Sequence, residues 1–401
     1  MMLGFAPLLL LLVLANDQDR LVSPQASTIF AFQAPTTQSA EREPRRDVID
    51  ATPPASGAAV SQTTREGQRM PGVAADPDSV SDSPTELKWN PGHGVKAQGN
   101  HARANQQEFF DAVYDQLPRV MAADEFEFVY NRYAWGGLEP ARGEYNWAVL
   151  HQHLDWLHAR GKSLLIGIET KCFSSDCGGL APSDLTGDIV VGRYPMLATY
   201  RERVMDRFIE FMEALADEFD DHPAVTAFEL GTEICPSWGG NAASDYTNSK
   251  LLTQWARKQR AASTLFQRTT VYTDINCDIG NNSQMLIENA YQLTCNTPGV
   301  TTKLGRSSPD MHNDPGRRLF YGDGNAVRDY RGLIPHLGIV DAPNLGGKDD
   351  RLPLSNIIAE IRESEFTHVA WITTATDAPL AAILDTIRSA APSIQQTVEC
   401  D

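Results

Sequence analysis

The chain has 401 residues, 42% of them apolar and 21% charged, with 52 acidic against 34 basic side chains and a formal net charge of −18. That length suits two or three ordinary domains or one large barrel, and the apolar share supports a sizeable packed core. The acidic balance argues against nucleic acid as a partner and, more weakly, against polyanionic substrates or an anionic membrane surface.

The first feature along the chain is an apolar run from Leu3 to Ala15. It is too short to span a bilayer and has the size of a signal-peptide core, with cleavage expected after Ala15. It lacks a basic leading region, which leaves a mis-assigned start or a short membrane-proximal anchor as the alternatives. Residues 16–84 are rich in Ser, Thr, Pro, Ala, Gln and charge, as in Thr52-Pro53-Pro54-Ala55-Ser56-Gly57, and hold no sustained apolar period. They read as a disordered stalk or propeptide. Residues 85–401 read as one folded domain.

Within that domain, β-rich apolar runs alternate with stretches of helical period. Strands are expected at Gly94–Asn100, Glu127–Trp135, Lys162–Lys171, Val225–Glu233, Thr269–Asn276, Gly299–Arg306, Leu333–Asp341 and His368–Thr374. Helices are expected at Gln106–Leu117, Trp147–Arg160, Thr199–Phe219, Ser249–Ser263, Ser283–Leu293, Leu354–Glu363 and Pro379–Ala390. Such alternation predicts a parallel sheet with helices outside it, and eight units predict an α/β fold of the (β/α)8 TIM-barrel type. A doubly wound open sheet is the competing architecture. There is no internal repeat, no Gly-x-Gly-x-x-Gly after a strand and no phosphate-binding loop.

In a barrel the chemistry gathers at the carboxyl ends of the strands. The fourth predicted strand, Val225–Glu233, places Glu229, Gly231 and Glu233 on one face, with Glu233 at the mouth and Glu229 deeper. Four residues along a strand span about 13 Å, too far for a glycosidase carboxyl pair, so a partner for Glu233 has to come from another strand. The bland reading of Glu233 is a capping or salt-bridged loop carboxylate. Asp341, closing the seventh strand, is the best-placed partner; the alternative is a turn-forming Asp ahead of Pro343. Glu169 closes the third strand, with Lys171 two residues on, which fits a substrate hydroxyl contact or a structural ion pair. Asn131, Arg132 and Trp135 end the second strand, Asp274 ends the fifth, His312 follows the sixth and Trp371 lies in the eighth. Aromatic faces at a barrel mouth make platforms for sugar rings, with core packing as the alternative for Trp135.

Other chemistries are poorly represented. His151 and His153 are two apart on a predicted helix and point to different sides, and there is no HExxH or paired CxxC, so no metal site is expected. No Gly-x-Ser-x-Gly elbow is present. Six cysteines allow one to three disulfides in an exported enzyme, and Cys172 with Cys177 would close a small loop. Asn281-Asn282-Ser283 is a glycosylation sequon, meaningful only on a eukaryotic secretory route.

The segment Trp135-Gly-Gly-Leu-Glu-Pro-Ala-Arg-Gly-Glu-Tyr-Asn-Trp147 resembles the W-x-x-x-E-P-x-x-G-x-Y-x-W pattern that follows strand two in retaining (β/α)8 glycoside hydrolases of the β-galactosidase-like and cellulase-like clan. Asn90-Pro91-Gly92-His93-Gly94 is similar to the opening of barrel proteins related to that clan. The resemblance spans roughly residues 88–235. It implies a general acid/base at the end of strand four, which falls on Glu233, although Thr232 stands where the clan has Asn. It also implies a nucleophilic Glu ending strand seven, where this chain has Asp341 and no Glu between 333 and 341.

These readings converge on an exported glycoside hydrolase acting on a poly- or oligosaccharide. Glu233 and Asp341 would be the catalytic pair, with Glu169, Asn131, Arg132, Trp135, Asp274, His312 and Trp371 around the sugar. The chemistry calls for no cofactor. A non-catalytic carbohydrate-binding barrel that has lost its nucleophile is the rival, and a lyase using Glu169 and His312 is a third reading.

Overall fold

The computed structural model describes residues 86–96, 123–172, 178–191, 194–231, 243–274, 283–308, 329–341, 353–372, 377–390 and 393–400. The chain divides into two units, Met1–Pro77 and Asp78–Asp401, and the described residues belong to the second. The expected leader, the 16–84 segment and the expected helix at 106–117 lie outside the described residues.

Eight strands form a closed barrel: β1 (Gly92–Lys96), β2 (Phe128–Ala134), β3 (Ser163–Glu169), β6 (Val225–Leu230), β7 (Thr270–Asp274), β8 (Leu304–Ser308), β9 (His336–Asp341) and β10 (His368–Ile372). Around the wall they run β1-β10-β9-β8-β7-β6-β3-β2, and the pairs around the wall are parallel. Each expected strand is present, and the closed wall excludes the open doubly wound sheet. Between β3 and the next long helix the chain inserts a short antiparallel hairpin, β4 (Ile189–Val191) with β5 (Pro195–Leu197), which the sequence pattern did not signal.

The helices are α1 (Trp135–Leu138), α2 (Ala148–His158), α3 (Glu202–Phe219), α4 (Asn248–Leu265), α5 (Ser283–Cys295), α6 (Leu354–Glu363) and α7 (Asp377–Ser389). α3 shows why they form: Val204, Phe208, Phe211, Leu215 and Phe219 recur at spacings of three and four and are all buried, while the other face is charged. α4 opens on Thr247, whose hydroxyl accepts from the backbone N–H of Lys250 and satisfies one of the first-turn donors. Among the described residues no helix is long and apolar enough to cross a membrane.

Two apolar layers result. Phe128, Tyr130, Leu165, Ala227, Tyr272, Leu337, Ile339 and Ala370 fill the barrel interior. A larger layer, including Val129, Phe228, Leu230, Val271, Val340 and Trp371 from the wall, packs against the helices. Strands buried on both faces explain the continuous apolar runs that made them legible.

The amino-terminal end of the barrel is crossed by the C-terminal tail. The Glu399 amide donates to the Gly332 carbonyl at 3.0 Å and the Gln395 amide to Phe366 at 2.9 Å. Lys303 Nζ donates to the Val398 carbonyl and the Trp89 indole to that of Gln396. A disulfide joins Cys295, the last residue of α5, to Cys400.

Candidate active site

The interior of the barrel holds a polar network below its carboxyl end. β2 alternates, so Phe128, Tyr130 and Arg132 point inward and Val129, Asn131 and Tyr133 point toward the helices. The Tyr130 hydroxyl donates to Glu229 Oε2 of β6 and accepts from Arg132 Nε. Arg132 Nε also stands 3.3 Å from that carboxylate oxygen, and both charged side chains are almost wholly buried, at 2% and 0% exposed. Glu229 Oε1 is buried with no hydrogen-bond partner among the described residues. Burial pushes the Tyr130 hydroxyl well above its ordinary range against the lowering effect of Arg132, with the Glu229 charge adding to the rise. Tyr130 is therefore a neutral donor at any working pH. Lys96 Nζ lies 5.6 Å from the centre of its ring.

Gly167 makes room for this network. A Cβ there would come within 2.8 Å of Arg132 Cγ and 2.9 Å of Tyr130 Cε2.

Above the network lies the carboxyl rim. Glu169 ends β3 and Asp274 ends β7, and both are fully buried. They fall in step with the inward Leu165 and Tyr272. β6 stands between these two strands. It ends at Leu230 and turns at Gly231, whose φ of +78° is a left-handed conformation that favours glycine. Glu233 follows two positions later and lies outside the described residues. Asp341 closes β9, at the register position of Ile372 in β10; its side chain lies outside the described residues, as does all of His312. The wall thus brings carboxyl-bearing residues to the ends of β3, β7 and β9. Among the described residues no group of three His, Cys, Asp or Glu side chains is placed to hold a metal ion. Cys172 is disulfide-bonded, and its expected partner Cys177 lies outside the described residues.

Three expected sugar contacts are corrected. Asn131 sits on the outward side of β2 and is 3% exposed, because the two neighbours Asn131 and Arg132 necessarily face opposite ways in a strand. Trp371 is likewise outward, fully buried, its indole N–H donating to His93 Nδ1 at 3.0 Å. Trp135 is fully buried at the start of α1, edge-on to Phe208 at 5.0 Å. None of the three offers a face to a substrate.

The segment that carries the family resemblance proves to be a structural clasp. The Trp135 indole donates to Glu139 Oε2 at 2.8 Å, and the Gly143 amide donates to Glu139 Oε1 at 2.8 Å. Arg207 of α3 donates to the same Oε1 at 2.9 Å and also reaches Asp184 and Glu210. Tyr145 stacks on Trp147 with centroids 4.8 Å apart, and Trp147 meets Phe219 edge-on. The Trp, Glu, Gly, Tyr and Trp of the pattern therefore pin the β2–α2 connection to α3. A second clamp ties the starts of α3 and α4 to the turn before β4: Arg201 holds Asp245 through Nε at 2.7 Å and Nη2 at 3.1 Å, and Asp188 through Nη1 at 3.0 Å. Hydrogen bonding from Arg201 draws the Asp245 carboxyl down to about 2.

A closed parallel barrel with acidic residues ending its strands is the framework of the (β/α)8 glycoside hydrolase clan, and this chain is similar to that clan. The sequence match is specific: a family model for β-galactosidases of glycoside hydrolase family 42 matches residues 104–259, which runs from ahead of β2 into α4. It bears out the resemblance and the expectation of a hydrolase, and it ends before Asp341. No curated protein matches the chain. Among solved structures, it is similar to endo-glycoceramidase II from Rhodococcus sp. as a lactosyl-enzyme intermediate (15% identity, 75% of this chain and 80% of that one, TM-score 0.49). It is also similar to the catalytic domain of β-amylase from Paenibacillus polymyxa (10%, 77% and 100%, 0.49). A third is a cold-adapted β-galactosidase from Rahnella sp. R3 (13%, 79% and 58%, 0.47).

Proposed function

We propose that this protein hydrolyses O-glycosidic bonds of a poly- or oligosaccharide with a pair of rim carboxyl groups. The observation that supports this most is the rim itself: Glu169, Asp274 and Asp341 end three strands of one closed wall, and β6 leads into Glu233 between the first two. In this reading Glu233 protonates the leaving oxygen, and Asp341 either attacks the anomeric carbon or activates a water. The separation of the two carboxyl groups fixes the stereochemistry: about 5–5.5 Å retains configuration, and about 6.5–9.5 Å inverts it. Arg132 and Glu169 orient sugar hydroxyls from β2 and β3, with Asp274 two strands along the wall on β7. No cofactor enters the scheme. A disulfide at Cys295–Cys400 supports export, in line with the leader reading of residues 1–15.

A panel of nitrophenyl glycosides and polysaccharides, followed by reducing-end release, tests the proposal. Glu233→Gln should lower turnover by about 100-fold or more on any substrate the native chain cleaves. Unchanged turnover removes Glu233 from the mechanism. The second reading, a carbohydrate-binding barrel without catalysis, is favoured by the lack of any Glu in β9. Calorimetric sugar binding with no release of reducing ends would select it.

A further inference from the structure

Tyr145 stands in the β2–α2 connection and stacks on Trp147, with planes within 5° of parallel. Trp147 is in turn seated on the buried rings of Phe211 and Phe219 of α3. The backbone beside Tyr145 is fixed on both sides: the Glu144 amide donates to the Ala141 carbonyl at 2.9 Å and the Asn146 amide to that of Leu138 at 2.7 Å. Tyr145 is nevertheless 36% exposed, and among the described residues it is the one aromatic ring among the three large apolar side chains that are exposed. The ring surface left open by Trp147 and Phe211 therefore meets water in one fixed orientation. A pre-oriented aromatic face loses little freedom when a ligand stacks on it.

A polar fork accompanies the ring. Arg142 donates through Nε to Glu210 Oε2 at 3.1 Å and through Nη2 to Oε1 at 2.6 Å, with the two side chains 62% and 44% exposed. A pair so open to water is worth little to folding. Burial raises the pKa of the Tyr145 hydroxyl, and the charges of Glu139, Glu210 and Glu213 add to the rise against Arg207, which places these carboxylates around the ring.

We propose that Tyr145 is the platform of a carbohydrate-binding site on the helix layer, separate from the strand ends, which takes one pyranose of a neutral polysaccharide. One face of the sugar stacks on the ring, and the Arg142–Glu210 pair meets its hydroxyls, the guanidinium donating and the carboxylate accepting. The charges select the ligand. The guanidinium already faces a carboxylate and three acidic groups surround the ring, so a uronate or sulfated sugar is repelled, whereas a neutral hydroxyl both donates and accepts. A protein partner fits poorly, because the apolar patch is a single ring and a specific protein interface covers about 800 Å² per partner. The site holds a polymer against the protein and does not require that the strand ends cleave it.

Affinity electrophoresis of the full chain through gels containing xylan, β-1,4-galactan or mixed-linkage β-glucan, with polygalacturonate as the anionic control, reads binding as retardation. The native chain should be retarded by at least one neutral polymer and not by polygalacturonate. Tyr145→Ala should weaken that affinity about tenfold, Tyr145→Phe should keep it, and Arg142→Ala should weaken it about threefold. Near-ultraviolet circular dichroism and the denaturant midpoint check that each variant is folded. Native affinity in folded Tyr145→Ala overturns the platform, as does native affinity in Arg142→Ala should Tyr145→Ala not fold. Retardation by polygalacturonate alone, or by none of the polymers, overturns it too. If Tyr145-dependent binding is found while no polymer releases reducing ends, the hydrolase reading fails and the platform stands.

Discussion

The indole N–H of Trp371 donates to Nδ1 of His93 at 3.0 Å, joining the last strand of the barrel to the first. Nδ1 is thereby an acceptor, so the proton of the neutral ring resides on Nε2, which donates to Ser393 Oγ at 2.8 Å. The ring that seals the wall also anchors the tail beneath it, and it can do so only while uncharged. Burial holds the His93 pKa down at about 4, and burial likewise holds His153 and His368 at about 3.

These histidines make the fold acid-sensitive. Each has a folded-state pKa below its unfolded value of 6.5, so between about pH 6.5 and 4 the unfolded chain binds more protons. Stability is full above pH 6.5 and falls as pH drops, by up to about 3 kcal/mol for His93 alone at pH 4. Urea midpoints measured from pH 7 to 4 should decline steadily, and His93→Gln should flatten the decline. A flat native profile would contradict the buried neutral assignment.

Glu139 accepts from the Trp135 indole, the Gly143 amide and Arg207. Glu139→Ala leaves three donors without their acceptor, among them a guanidinium that is 5% exposed. We expect a loss of about 3–5 kcal/mol in denaturant unfolding. Turnover per folded molecule should stay within about twofold, because the clasp lies outside the barrel interior.

Gly167→Ala probes the interior network. The added methyl meets Arg132 and Tyr130 at under 3 Å, so the pair must shift off its rotamers or the wall must move. Overpacking of this kind costs about 1–3 kcal/mol. On the proposed function it also raises KM, since Arg132 is displaced beneath the sugar; native stability and KM together would show that the network yields without strain.

Cys295 and Cys400 are 105 positions apart, so their bond closes a long loop and restricts the unfolded chain strongly. Cys400→Ser should lower stability by about 2–5 kcal/mol and release the tail, seen as faster exchange of the Glu399 and Gln395 amides that bond to Gly332 and Phe366. An unchanged melting temperature under oxidising conditions would mean the tail holds without its tether.

The barrel was legible because its strands are buried on both faces and so read as unbroken apolar runs, such as Leu164–Ile168, each followed by a helix-length period. The β4–β5 hairpin was not, because two three-residue strands around a turn carry no period to detect. The polar residues were harder still. Alternation shows that Asn131 and Arg132 face opposite ways, but only the closed wall shows which way is in. The Trp135–Trp147 pattern illustrates the same limit: its spacing is dictated by hydrogen bonds to Glu139 and by ring contacts with α3, so it reports a structural clasp rather than a catalytic group.

Absence of a strand-seven Glu makes Asp341 the critical test of the catalytic pair. An aspartate is one methylene shorter than the glutamate that the family resemblance leads one to expect, so on the proposed function it would leave room for a water between carboxyl group and sugar as well as allow direct attack. On the proposed function Asp341→Asn should lower kcat by about 1,000-fold, whereas Glu169→Gln and Asp274→Asn, assigned there to holding the sugar, should cost about 10- to 100-fold and act more on KM. Adding azide to Asp341→Asn tests whether Asp341 is the partner of Glu233: if Asp341 acts as base or as nucleophile, a glycosyl azide accumulates, with anomeric configuration opposite to that of the substrate. If Glu169→Gln instead proves the more damaging change and alone yields glycosyl azide, the partner of Glu233 lies on β3, the neighbouring strand of the wall, and Asp341 returns to being a strand-ending turn residue.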